Sequence, residues 1–209
     1  MDFDYYSLDK AFSLNTSGNG LCYYGATIGN KKYEGERNWD DRWKLLKDCT
    51  DYTNKNVVEI GCNMGIFLAY LKRFCGINRA LGIDLPNDLL VKSNKKDTII
   101  AAKLLAAGLM IDIELLQIDL NSMNYPILVP ASAYDIAIVL SIYKWINDKK
   151  KFLDYLSNFK TVIYEGHEDD DIEIARFAKH GFSAKILGKT QIGKSYSPDQ
   201  YRTLILFTK

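Results

Sequence analysis

Three groups of residues in this chain have types and spacings that could do chemistry. The first is Gly61, Asn63 and Gly65, which follow the apolar run at 57–60 and lead into Ile66-Phe67-Leu68-Ala69-Tyr70-Leu71. The glycines stand where bulk would be harmful: they allow a tight turn and let a ligand lie against the backbone. A helix starting near Gly65 offers unpaired N–H groups to an anionic ligand group, and Asn63 tolerates left-handed backbone better than most residues. The second group is His167 with Glu165. His167 is one of only two histidines, and a neighbouring carboxylate can orient its ring or raise its basicity, as a general base requires. The bland alternative makes His167 the start of a surface loop, with Glu168, Asp169, Asp170 and Asp171 complementing the dipole of the next helix. The third group, Ser141-Ile142-Tyr143-Lys144-Trp145, sets aromatic and cationic side chains just past an apolar run.

Positioning these residues takes alternating strands and helices. Short apolar runs end at Ile60, at Asp84, near Leu120, at Ser141 and at Glu165. Between them, Asn38 can cap a helix whose first turn carries Asp40 and Asp41 and whose Trp39, Trp43 and Leu46 share one face. Most of that face is predicted to be core packing. A second helix is expected from Asp97 to Gly108, a buried strand over 111–120, a loop broken by Pro126 and Pro130, a helix capped by Asn147-Asp148 and another over 170–180. Two late strands, near 184–188 and 202–207, flank a polar loop with Gly193 and Pro198. The alternation predicts an α/β, doubly wound, mostly parallel seven-stranded sheet with one antiparallel edge strand, and ligands beyond the carboxyl ends of its strands.

Composition sets the outer bounds. A chain of 209 residues, 47% hydrophobic and 25% charged, has the make-up of one globular domain. A net charge of +1 leaves no global basic field for nucleic acid or anionic membrane. Cys22, Cys49, Cys62 and Cys75 form no CxxC pair and stand at no zinc spacing, so they read as reduced thiols and no metal is expected. Neither a signal peptide nor a membrane-spanning run is read, which sets the expectation of a cytoplasmic, intracellular protein without membrane insertion. Residues 1–37, rich in Tyr, Gly, Asn and Ser, show no sustained periodicity. They are expected to form a partly mobile arm with a turn at 17–20, or a lid over the site, ahead of the main domain at 38–209.

Glu59-Ile60-Gly61-Cys62-Asn63-Met64-Gly65 resembles the first motif of class I S-adenosylmethionine-dependent methyltransferases, in a variant with Asn at its centre. Ala80-Leu81-Gly82-Ile83-Asp84-Leu85 is similar to their second strand, Leu116-Gln117-Ile118-Asp119-Leu120 to the third, Tyr134 to Ser141 to the fourth and Thr161 to Glu165 to the fifth. The resemblance implies S-adenosyl-L-methionine as cofactor and S-adenosyl-L-homocysteine as product. It implies a cofactor site from Glu59, Gly61, Cys62, Asn63, Gly65, Asp84 with Leu85, Asp119 with Leu120, and Ser141. Asp84 would hold the ribose and Asp119 the adenine amine, while Glu59 would lie near the methionine end. The structural alternative for both strand-terminal aspartates is a helix N-cap.

Within that family two subgroups are similar. The tip 140–146, the Gly61-Cys62-Asn63 turn and the closing 202–207 resemble RNA 5′-phosphate (methylphosphate-capping) methyltransferases, but Gly166-His167-Glu168-Asp169 departs from the segment with proline and tryptophan found there. A phosphate acceptor needs no base and prefers cations; a sugar hydroxyl needs a base and tolerates carboxylates. The chain is also similar to compact surface-glycan O-methyltransferases. The expectation is O-methylation of a glycan or sugar hydroxyl, with His167 as base and Glu165 as its orienting partner or the alternative base. Tyr143, Lys144, Trp145, Tyr24, Arg37 and Trp39 would contact the acceptor. Arg37 and Arg42 could instead reach the cofactor carboxylate or form surface salt bridges. The alternatives are an RNA 5′ end as acceptor, or a non-catalytic subunit that keeps the fold.

Overall fold

The structure, a computed structural model, describes residues 2–16, 21–86, 98–122, 124–197 and 200–209. The expected turn at 17–20, Asp97 at the start of the second predicted helix, and Pro198 lie outside the described residues. The N-terminal segment is more regular than its composition suggests. Helix α1 (Tyr5–Leu14) is capped by Asp4, whose carboxylate accepts from the Tyr6 and Ser7 backbone N–H groups. Leu8, Ala11 and Phe12 bury one face at helical spacing. A three-stranded sheet follows, with β1 (Cys22–Ile28) between β2 (Lys31–Tyr33) and β3 (Gly35–Asn38). The backbones of β1 and β3 cross so closely that a Cβ on Gly35 would lie 2.0 Å from the Gly25 nitrogen. Helix α2 (Trp39–Leu46) then starts at its expected cap, Asn38, whose side chain accepts from Asp40 N–H.

The main sheet has seven strands: β4 (Asn56–Ile60), β5 (Arg79–Asp84), β6 (Glu114–Gln117), β7 (Ile136–Leu140), β8 (Thr161–Glu165), β9 (Ser183–Gln191) and β10 (Tyr201–Thr208). Their order is β6-β5-β4-β7-β8-β10-β9. The first five are mutually parallel, and β10 runs antiparallel to both β8 and β9 within the edge pair. The connecting helices are α3 (Ile66–Phe74), α4 (Thr98–Gly108), α5 (Tyr125–Leu128), α6 (Lys149–Leu156) and α7 (Asp170–Ala178). The doubly wound sheet separates two apolar clusters. One holds residues of α1, β1, α2, α3 and α4, and the other holds residues of α5, α6 and α7. Helix α1 lies on α4, where a Cβ on Gly108 would sit 2.5 Å from Leu8 Cγ. The N-terminal helix is thus part of the folded core. The expected buried strand over 111–120 shrinks to four mostly exposed residues, because β6 is the sheet's edge and gains cover from few neighbours. No helix among the described residues is long and apolar enough to cross a membrane.

Two expected acceptor contacts are interior residues instead. Trp39 is completely buried and packs against Tyr24, Trp43, Phe67 and Tyr70, with ring centroids 5.5–6.2 Å apart including Phe67. Tyr24 is buried beside it, its hydroxyl accepting from Arg42 at 2.9 Å. Since this aromatic cluster joins the N-terminal sheet to α3, Trp39→Ala should cost about 3–5 kcal/mol of stability. Urea unfolding measures it, and an unchanged midpoint would contradict the packing role.

Candidate functional site

The turn between β4 and α3 has a left-handed backbone at three places: φ is +77° at Gly61, +53° at Asn63 and +63° at Gly65. A Cβ on Gly61 would meet Ile142 Cγ2 at 2.2 Å, so only glycine fits. Gly61 and Cys62 N–H groups donate to the Ile83 carbonyl, which ties the turn to the end of β5. There the Asp84 carboxylate accepts from Asn63 N–H at 2.5 Å and Leu85 N–H at 2.7 Å. Cys62 is buried and packs on Gly82, where a Cβ would stand 2.8 Å from its sulfur. From outside, Asn15 at the end of α1 donates to Asn63 Oδ1 at 2.5 Å. Small residues, left-handed backbone and a half-exposed carboxylate at the carboxyl ends of β4 and β5 form a cradle that fits a nucleoside with ribose hydroxyls.

Glu59 lies beneath this turn. Burial pushes its carboxyl up to about 8 despite a hydrogen bond from Leu68 N–H, and the Asp84 charge adds to the shift. It is therefore a neutral acid at pH 7, and its Oε2 is buried without a hydrogen-bond partner among the described residues. Asp119, two residues beyond β6, closes a local turn: its carboxylate oxygens accept from Asn121 N–H at 2.9 Å and Ser122 Oγ at 2.8 Å. Adjacent Leu120 packs against the second apolar cluster.

At the carboxyl end of β8 stands a buried ionic cluster. Glu165 is fully buried and accepts hydrogen bonds from Arg37, Arg42, Ser141 and Thr190, with Arg37 Nη2 3.2 Å from each oxygen and Thr190 Oγ1 3.2 Å from Oε1. Burial alone would raise its carboxyl, but Arg42, Arg37 and Ser141 outweigh it and hold the group at about 2. A carboxylate so stabilised as an anion is no general base. Nor does it hydrogen-bond His167 among the described residues. Both expectations for Glu165 fail for one reason, the two arginines. Arg37 and Arg42 are buried ion-pair partners, not surface ones, so Arg37 is no free acceptor contact, although its Nε has no hydrogen-bond partner among the described residues. Ser141, at φ +63°, directs its hydroxyl to Glu165 and is not free for a cofactor.

Beyond β8 lies a cleft of about 610 Å³ whose walls include His167, Asp170, Lys189 and Arg202. Glu173 on α7 holds the segment after β8 in place, accepting from His167 N–H, Glu168 N–H, Tyr164 Oη and Arg176. Burial and then the positive charges of Arg202 and Lys144 lower His167 to about 4, against an opposing pull from Glu165. Its imidazole is neutral at pH 7, with Nδ1 buried and unpartnered among the described residues. Lys144, whose charge acts on His167, and its neighbour Trp145 are exposed, whereas Tyr143 is buried under Arg176 and Lys149 and cannot be a contact. Sequence reasoning did not find Arg202. Only its place one residue into the last strand, pairing with Thr190, brings it here.

No protein-family model and no curated protein matches the chain. Solved structures do. The structure of EvdMO1 covers 98% of this chain at 13% identity and a TM-score of 0.64, with the chain spanning only 47% of that protein. A S-adenosylmethionine-dependent methyltransferase from Mesorhizobium loti covers 79%, at 12% identity and a TM-score of 0.56, with 96% of its own length matched. The putative tRNA (m1A22) methyltransferase Sp1610 of Streptococcus pneumoniae, in complex with S-adenosyl-L-methionine, covers 80% at 12% identity and a TM-score of 0.56, over 72% of its length. The fold is the Rossmann-like fold of class I methyltransferases.

The ionic cluster gives a stability signature. Glu165→Gln leaves two buried guanidinium groups unbalanced and should cost about 3–5 kcal/mol. In the parent, the Glu165 carboxyl falls from an ordinary 4.5 to about 2 on folding, so its contribution is present above 4.5 and is lost as pH falls toward 2. Urea unfolding of both proteins from pH 7 to 2 should show the parent's advantage disappear over that window.

Proposed function

We propose that the protein is a S-adenosylmethionine-dependent methyltransferase that modifies a hydroxyl group, that of a sugar or glycan. The observation that carries the reading is the cradle of Gly61, Asn63 and Gly65 with the Asp84 carboxylate at its rim, set beside a cleft that holds one neutral imidazole. S-adenosylmethionine bound there would supply an activated methyl group on its sulfonium. Asp84 would receive the ribose hydroxyls, with Leu85 and Cys62 as apolar walls and Glu59 fixing the head of α3 from beneath. Asn15 and α1 extend over the turn, consistent with a positioning role for the N-terminal segment.

The remaining work falls to the acceptor side. A hydroxyl must lose its proton as it becomes a nucleophile, and the neutral, half-buried His167 imidazole on the cleft wall is the group we assign to receive it. Its low proton affinity has a cost in basicity and a benefit in availability, since the ring is unprotonated throughout the neutral range. Trp145, 65% exposed with Lys144 over its ring at 4.6 Å, offers an apolar face for a sugar ring. The second reading, an RNA 5′ phosphate, draws on Lys144 and Arg202 as cations. Against it, Asp169 and Asp171 are exposed at the mouth with no ion pair among the described residues, and they repel a polyanion.

Labelled-cofactor transfer to glycans and to 5′-phosphorylated RNA tests the assignment. His167→Ala should lower turnover by about 10²-fold, toward the lower end of general-base effects because the base is weak, and leave cofactor affinity unchanged. The parent's rate should rise with pH on a limb near pH 4, well below that of an ordinary histidine, and level off by neutrality. Transfer to RNA alone, with His167→Ala still active and affinity falling steeply with salt, would replace the sugar reading. In calorimetry, Asp84→Ala should weaken cofactor binding by up to ~3 kcal/mol. A parent protein that binds no cofactor would be a non-catalytic member of the fold.

A further inference from the structure

At the carboxyl end of β8, behind the cleft wall, positive charge exceeds what Glu165 neutralises. Arg37 and Arg42 share Glu165, and Arg202 lies close enough to feel all three charges. Three guanidinium groups thus face one ionised carboxylate, a surplus of two. The Arg202 side chain makes no hydrogen bond and no salt bridge among the described residues, although it is part of the cleft wall and partly buried. Arg37, only 3% exposed, has a buried Nε without an acceptor among the described residues. A cation taken partly out of water without a counter-ion is costly, and such a site favours the arrival of an anion.

The mouth has the opposite character. Glu168 pairs with Arg176, and Asp170 stands 3.8 Å from Lys189, but Asp169 and Asp171 remain exposed without pairs among the described residues. Polyanions are repelled at the entrance, while a single anionic group gains from the interior. The volume of about 610 Å³ suits one or two sugar rings, not a polymer strand.

We infer that the acceptor is a small hydroxylated molecule with one anionic group, a carboxylate or a phosphate, which seats against Arg202 beside His167. This rests on the reading of the cleft as the acceptor site, and it makes Arg202 the residue that selects acidic over neutral sugars. Seating that group next to Arg202 would also offset a positive charge that now opposes protonation of His167, so the acceptor itself would make the imidazole a better base.

The test uses the intact protein and NMR of the imidazole groups. With two histidines in the chain, His167 can be followed directly and His180, outside the cleft wall, serves as reference. D-glucuronate, inorganic phosphate and D-glucose are titrated at matched ionic strength, with and without S-adenosylhomocysteine. A saturable shift of His167 with glucuronate or phosphate, and none with glucose, is expected; the effective probe tells carboxylate from phosphate. Arg202→Gln should weaken that binding about tenfold or more, the weight of a charge-assisted hydrogen bond, and Arg202→Lys should retain most of it. Equal binding of glucose, silence of His167 with both anions, or an undiminished response in Arg202→Gln would overturn the inference. If S-adenosylhomocysteine fails to bind while glucuronate or phosphate still shifts His167, the methyl-transfer reading falls and the anion site stands.

Discussion

A carboxylate cut off from water must find positive charge, and Glu165 is the place where this requirement shapes the molecule. It ends β8 with no exposure at all, and two guanidinium groups reach it from β3 and α2. Those two elements belong to the N-terminal sheet and its following helix, so the ion cluster pins that region to the carboxyl end of the main sheet. Ser141 at the tip of β7 and Thr190 on β9 complete the ring of donors. One side chain thereby registers four elements against each other. Such a cluster is weak evidence for net stability, because desolvation offsets much of the attraction. Its value lies in the unique arrangement it demands.

Glu59 shows what happens without that compensation. Like Glu165 it lies buried near the carboxyl end of a central strand, but no arginine hydrogen-bonds it, and it holds its proton to about 8. The two acids take opposite charge states at neutral pH in the same sheet. Environment, not residue type, decides which one is an anion. The histidine between these regimes is held neutral by burial and by neighbouring cations, with its Nδ1 unpartnered among the described residues.

Much of the fold is legible along the chain because its determinants are local. Asn38 caps α2, Asp148 caps α6, Gly65 begins α3, and the apolar runs from 57 and 136 form neighbouring central strands. The glycine turn and Asp84 also come together as their spacing implies. What escaped was set by distance. Nothing near Arg37 or Arg42 announces a carboxylate more than 120 residues later, so surface bridges were the natural reading, and Glu165 beside His167 in sequence looked like its partner. The aromatic residues misled similarly: Tyr24, Trp39 and Tyr143 have the composition of a binding face and the burial of a core. In α1, the spacing of Leu8, Ala11 and Phe12 was too short a signal to stand out from its polar surroundings.

The same separations bear on how the molecule assembles. Arg37 and Arg42 lie 128 and 123 residues before Glu165. At the usual pace of synthesis they leave the ribosome on the order of ten seconds before their counter-charge does. During that interval the N-terminal sheet can close on itself, Gly25 against Gly35, but burying two guanidinium groups unpaired is prohibitive. Docking of that sheet must therefore wait for β8. This long-range ion cluster is then a late checkpoint in folding, and chains that stall before residue 165 carry a cationic, aromatic surface open to chaperones and proteases.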